Sequence, residues 1–377
     1  MSTNKHGLDN KKLALLELVK SGLFQVRGEE FFDERSDKVD YLDEPSDKVE
    51  RIVNDAVDWN VIYSLAEAQG VTGLVAAGIE RLNVQVPLEV KLQFVGSTLQ
   101  VEQRNKAMDA FIADIVERMR TDGIFTLLVK GQGVAQCYEK PLWRPSGDVD
   151  FLLSEDNYKK AKDFLLPLSS GNKDEERYSQ HLGMSIGEWY VEIHGSLRTG
   201  LSERIDRMVD AVQNSVFYGG NVRSWQNGKT QVFLPAPTED VFLVFTHFIK
   251  HFYKEGMSLR QVCDWCRLLY TYREKLDYGL LEKWIKKSGL MQEWKGFAAV
   301  AVEYLGMPET AMPFFNLNDD LNLNKTERLV RFILNGSHGR VKDTCEIAKI
   351  FPWHTIKFLP SIFLNVNGLK IKERLFF

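Results

Sequence analysis

The chain has 377 residues and a mass of 43.3 kDa, more than one hydrophobic core usually encloses, so two or three structural regions are expected. Apolar residues make up 44% and charged residues 27%, and 48 Lys and Arg against 52 Asp and Glu leave a net charge of -4, a globular balance that disfavours a dedicated nucleic-acid binder. Four cysteines are too few for a disulfide scaffold, no apolar run is long enough to span a bilayer, and the N-terminus leads into charged residues rather than a signal core, so the expected compartment is a reducing cytoplasm.

Residues 10–28 read as a helix, with Leu13, Leu15, Leu16, Val19 and Leu23 at roughly helical spacing. A near-duplicate decapeptide follows at 33–42 and 43–52. The first copy reads as a solvated insert and Ser46 in the second as a helix N-cap; two copies are too few for a solenoid. From about 48 to 121 the pattern is helical, with one stripe of Trp59, Ile62, Leu65 and Ala66 and another of Ala107, Phe111, Ile115 and Met119. Gly70, Gly78 and Pro87 punctuate it.

The character changes at Asp122-Gly123. The apolar run 124–129 is predicted as a buried strand, followed by a short helix through Tyr138 and a turn over Arg144-Pro-Ser-Gly. A second strand starts at Asp148 and is ended by Ser154; a helix over 155–166 places Tyr158, Ala161 and Leu165 inward. Residues 171–177 read as a polar loop, and Trp189-Tyr-Val-Glu-Ile-His alternates as a third strand. After about 235 helices return, over 241–253, 263–272 and 280–287. The tail 349–377 mixes aromatic and basic residues and is expected either to dock on the body or to touch an anionic membrane surface. The fold class is therefore α+β, with a small mixed β-sheet in 122–235 flanked by helical regions at 1–121 and 236–377.

Asp148 and Asp150 are the informative pair. Two residues apart in a strand, they share a face roughly 6.5–7 Å apart at the backbone. Carboxylates so placed can converge on divalent cations, and hard Mg²⁺ prefers such oxygen donors. Lys130 and Gly131 close the preceding strand, with Gln132 and Gly133 beyond; glycine lets backbone approach phosphate and lysine supplies a compact positive charge. No Walker order is present. Arg144 is placed either to hold a phosphate or to brace an aspartate. Glu192 shares a strand face with Tyr190 and His194, where a third metal ligand or a general base would sit; a salt-bridged edge-strand glutamate is the alternative. Cys263-Asp-Trp-Cys266 has redox spacing but lies inside a predicted helix, so its cysteines are read as structural.

Lys130-Gly, Tyr138, Pro141, Arg144, Gly147-Asp-Val-Asp-Phe-Leu-Leu and Val191-Glu-Ile-His, in that order, resemble an uncharacterised bacterial nucleotidyltransferase-like family of the polymerase-β-type superfamily. The resemblance implies a nucleotidyltransferase core between helical flanks, with Asp148 and Asp150 as metal ligands and Glu192 as the third acid. The family also has a His-x-x-x-His helix followed by Leu-Arg and Asp, matched here by His247, His251, Leu259-Arg260 and Asp264. These positions suit a polar cleft wall in which Lys250, His251 and Arg260 meet phosphate or acceptor, or equally helix-packing hydrogen bonds.

The expected activity is that of an enzyme, a transferase dependent on Mg²⁺ or Mn²⁺, moving a nucleoside monophosphate from a triphosphate such as ATP to an acceptor with release of pyrophosphate. Lys130, Gly131, Gln132 and Arg144 are the expected nucleotide-side residues. The acceptor is a small molecule or a protein rather than a nucleic acid. A catalytically inactive nucleotide-sensing or interaction protein is the rival reading, and a peripheral membrane protein using its tail is the third.

Overall fold

The computed structural model describes residues 8–24, 57–172, 175–176 and 180–364; the duplicated decapeptides and the end of the aromatic-basic tail lie outside them. Helix α1 (Asn10–Leu23) begins at Asp9, whose carboxylate accepts the Lys12 backbone N–H, and ends before the expected 28, since Phe24 is already extended. Helices α2 (Trp59–Ala68), α3 (Thr72–Leu82) and the 34-residue α4 (Leu88–Thr121) follow. Helices α1 and α3 cross with backbones almost touching. A Cβ on Gly22 would sit 1.9 Å from the Leu74 carbonyl oxygen, and one on Gly78 would sit 2.0 Å from that of Leu18.

The chain then builds a five-stranded sheet from β1 (Leu127–Val129), β2 (Asp148–Leu152), β3 (Gly171–Asn172), β4 (His181–Ile186) and β5 (Trp189–His194). Their spatial order is β1-β2-β5-β4-β3; β2 and β5 run parallel and the other neighbours antiparallel. The first strand is shorter than the expected 124–129, and Phe125 is exposed. The expected polar loop contains β3 and a bridge between Glu176 and His181, and β4 is an additional strand. Alternation does the sorting, since successive side chains point to opposite faces. Val149, Phe151, Val191, Ile193, Leu182 and Met184 pack on α4 and on α6 (Glu155–Leu165). The other face carries Asp148, Asp150, Glu192, His194 and His181.

Helix α5 (Gly131–Ala135) follows β1, and α7 (Glu203–Gly219) follows β5. A hairpin of β6 (Val222–Asn227) and β7 (Thr230–Pro235) comes next. Gly228, at φ 58°, supplies the positive φ that its two-residue turn requires. Helices α8 (Pro237–Lys254), α9 (Leu259–Tyr272), α10 (Tyr278–Ser288), α11 (Met291–Leu305), α12 (Leu317–Asp320), α13 (Leu323–Asn335), α14 (Arg340–Ile350) and α15 (Pro352–Leu364) complete the described chain. Their core is aromatic: the rings of Phe245, Phe248, Trp265, Trp294 and Phe297 contact one another at centroid distances of 4.7 to 5.6 Å. Cys263 and Cys266 are buried free thiols within α9. The described part of the tail docks through Phe358 and Ile362, with Phe358 4.9 Å from the Tyr253 ring, while Trp353 faces solvent. No described helix is long and apolar enough to cross a membrane.

Candidate functional site: three carboxylates on one sheet face

Parallel pairing sets the site. Asp150 lies beside Glu192 in register and Leu152 beside His194, so Glu192 projects from the same face as Asp148 and Asp150. Donor oxygens of all three acids lie within 4.8 Å of one another. Asp150 is almost sealed from solvent, whereas Asp148 and Glu192 are half-buried.

Like charges this close are unfavourable without compensation, and the chain compensates them unevenly. Oδ1 of Asp150 takes two partners, the Lys130 ammonium at 2.8 Å and Nε2 of His194 at 2.7 Å. Burial alone would raise the Asp150 carboxyl; the Lys130 charge and the His194 contact overcome it and hold Asp150 ionised well below the usual carboxylate range. For Glu192, burial is likewise outweighed, by contacts to His181 and His194, and its carboxyl falls. Asp148 moves the other way: burial and then the Asp150 charge raise it, with Lys130 opposing. Asp148 thus carries the burial cost and the repulsion that the partners of the other two acids offset.

That donor set fits an oxygen-preferring divalent cation such as Mg²⁺, which is commonly held by one or two carboxylates together with water and substrate phosphate. A cation among Asp148, Asp150 and Glu192 would offset both the burial and the Asp150 charge that raise Asp148.

Lys130 reaches Asp150 from an unusual backbone. Its φ of 58° and ψ of -145° lie near a region otherwise reserved for glycine, and such strain typically costs about 1–3 kcal/mol. Burial opposes the Lys130 charge, but Asp150, Glu192 and Asp148 together raise its pKa and keep it cationic. Gly131 follows at φ 32°, and an added Cβ there would approach the Asp148 carbonyl oxygen at 3.5 Å. Gln132 turns inward instead: its amide donates to Asp109 at 2.8 Å, and its carbonyl accepts from Ser146 at 3.1 Å.

Arg144 braces an aspartate. Its Nε and Nη2 donate to the two carboxylate oxygens of Asp264 at 2.8 and 2.7 Å, Nη1 donates to Ser146, and Tyr138 donates to the same Asp264. The fork is spent inside the protein, 120 residues away in sequence. Arg260 has a different environment. Its Nη1 donates to the Pro145 carbonyl at 2.6 Å, while its Nε is buried with no hydrogen-bond partner. Arg260 lines a cleft of about 470 Å³ together with Glu67, Gly70, Thr98, Trp143 and Ser258. None of the three acids lines that cleft, although the Arg260 charge acts on Asp148.

On α8, Nε2 atoms of His247 and His251 approach to 3.0 Å, and His251 Nδ1 lies 2.9 Å from Glu255, which Lys250 also approaches at 3.6 Å. The His251 contact is the main influence pulling Glu255 down to about 2. Burial above all, then the charge of Lys130, drives His247 far below the ordinary histidine range and keeps it neutral.

Two further residues belong to the constellation. His194, pushed down to about 4 by burial and by Lys130, is neutral and donates its Nε2 proton to Asp150. His181, opposite it on β4, stacks on His194 with ring centroids 4.6 Å apart. His194 was readable from the β5 alternation; His181 was readable from the polar-apolar alternation of His181-Leu-Gly-Met-Ser-Ile. Gly183 matters there too, since a Cβ would meet the Tyr190 hydroxyl at 2.0 Å.

No curated protein and no solved structure matches the chain. The model of a family of uncharacterised nucleotidyltransferases matches residues 55–306, a span that includes Lys130, all three acids and the His247 helix. That match covers well over half of the sequence, and the chain belongs to this nucleotidyltransferase family.

Proposed function

We propose that the protein is a divalent-metal-dependent nucleotidyltransferase that moves a nucleoside monophosphate from a nucleoside triphosphate to a hydroxyl of a small-molecule or protein acceptor, releasing pyrophosphate. The observation that carries this reading is the convergence of Asp148, Asp150 and Glu192 on one sheet face, within 4.8 Å. A bound Mg²⁺ or Mn²⁺ supplies charge neutralisation at the transferring phosphoryl group. Asp150, locked by Lys130 and His194, is the fixed ligand; Asp148 and Glu192 complete the set. Glu192 either binds the metal or accepts the acceptor hydroxyl's proton. Lys130 places a permanent charge beside the triphosphate, and Arg260 brings a second cation to the neighbouring cleft. Positioning and fixed charge then carry most of the catalysis, as is general for phosphoryl transfer.

The experiment is transfer of label from α-³²P-labelled triphosphates, with Mg²⁺, to candidate acceptors including the protein itself. Asp148→Asn and Asp150→Asn are expected to abolish transfer while the fold persists. Undiminished transfer in both variants refutes the assignment.

One observation favours a second reading, nucleotide binding without turnover: the ion pair from Lys130 occupies Oδ1 of Asp150, a catalytic ligand in the first reading. Calorimetry together with the transfer assay separates the two, because saturable triphosphate binding with no pyrophosphate release in the presence of any acceptor tried favours the second.

A further inference from the structure

The sheet face that carries the acids holds a second donor set. Antiparallel pairing sets His181 directly opposite His194, and the two imidazoles lie parallel within 2°. Nε2 of His181 lies 3.0 Å, and Nε2 of His194 3.5 Å, from the same Oε2 of Glu192. Around a zinc-like ion, with bonds of roughly 2.0–2.2 Å, neighbouring donors fall at about this separation.

The His181 nitrogen is the telling atom. It is sealed from solvent and makes no aligned hydrogen bond, and a buried polar atom in that state calls for an explanation such as an ion. Its other ring nitrogen, Nδ1, faces the Glu176 carboxylate at 3.9 Å. A cation between Nε2 and the Glu192 oxygen 3.0 Å away would give both atoms a partner.

We propose that His181, Glu192 and His194 form a second cation site, selective for a borderline transition-metal ion such as Zn²⁺. Two imidazoles and one carboxylate are the donors such ions prefer over Mg²⁺. Uptake is a tautomer exchange: the His194 proton moves from Nε2, where it bonds Asp150, to Nδ1, so the imidazole stays neutral as Nε2 takes the metal, and Lys130 continues to hold Asp150. Glu192 belongs to both donor sets, so a transition metal here withdraws a ligand from the acidic trio. On the proposed function, on which this one consequence rests, Zn²⁺ therefore slows transfer.

The site is tested without any nucleotide. The full chain, stripped of metal by chelator, is titrated with Co²⁺ in excess Mg²⁺. A saturable visible absorption band of low-coordinate Co²⁺, bleached by Zn²⁺, is expected from wild type and from Asp148→Asn. His181→Asn is expected to weaken Co²⁺ binding by more than about tenfold, since even outer-shell partners cost that much. In wild type, Zn²⁺ is also expected to shift the Cε1 proton resonances of two histidines, a readout that needs no variant to fold. Only the faint spectrum of hydrated Co²⁺, no histidine shift with Zn²⁺, equal affinity in a folded His181→Asn, or loss of the band in Asp148→Asn would each overturn the proposal. The Asp148→Asn arm separates it from the proposed function, because that substitution abolishes transfer and leaves this site intact.

Discussion

Lys130 holds Asp150 through a 2.8 Å ion pair, and it does so from a backbone conformation that a lysine seldom adopts. The two facts are separable. Lys130→Ala and Lys130→Gly both leave the buried Asp150 without its cation and with only the His194 hydrogen bond, a loss of up to about 3–5 kcal/mol. Only glycine also relieves the backbone, so Lys130→Gly is expected to be more stable than Lys130→Ala by about 1–2 kcal/mol in urea denaturation. Equal stability of the two variants would mean that the backbone at this position is unstrained.

Asp109, on α4, accepts from Gln132 at 2.8 Å, yet burial raises its carboxyl from 3.8 to about 6. An acid whose folded pKa is raised binds more protons folded than unfolded, so its contribution to stability falls as pH rises from about 4 to about 6. Asp109→Asn keeps an acceptor for Gln132 and removes that slope. Because Asp109 is only partly buried, the shift is discounted for solvent screening, and a gain of about 1 kcal/mol at neutral pH is expected. Destabilisation by Asn at neutral pH would show that the ionised carboxylate is required there.

Arg144 is expected to act on stability first. Its guanidinium spans both oxygens of the buried Asp264, a two-pronged geometry that an ammonium cannot reproduce. Arg144→Lys is expected to lower the unfolding free energy by about 1–3 kcal/mol, and Arg144→Met by about 3–5 kcal/mol. Triphosphate affinity of the folded Lys variant is expected to stay within about twofold of wild type, less than the ~0.5 kcal/mol typical of an incidental change. A large affinity loss at unchanged stability would assign Arg144 to the phosphates instead.

Much of the site was legible because burial on one sheet face imposes a period of two. Asp148-x-Asp150 and Trp189–His194 carry that period plainly, and parallel pairing does the rest. Strand β4 alternates too, but Gly183 and Ser185 are short polar positions that weaken the pattern, so it escaped, and His181 with it. The hairpin over Val222–Pro235 carried a local signal, Asn227-Gly228, and α7 carried Ile205, Val209, Val212 and Val216 at helical spacing; both could have been found. The partner of Arg144 could not, since Asp264 reaches it only after α9 packs against α5. Nor does any sequence pattern announce the positive φ of Lys130, which follows from the turn joining β1 to α5.

Electron paramagnetic resonance of Mn²⁺, titrated into the protein with a non-hydrolysable triphosphate, reads the acidic site directly and needs no acceptor. Wild type is expected to bind Mn²⁺ saturably, and Asp148→Asn and Asp150→Asn each to weaken it by about tenfold or more, as for loss of a ligand. Mn²⁺ bound equally by wild type and both variants would place the cation elsewhere and leave the three carboxylates without the role given to them.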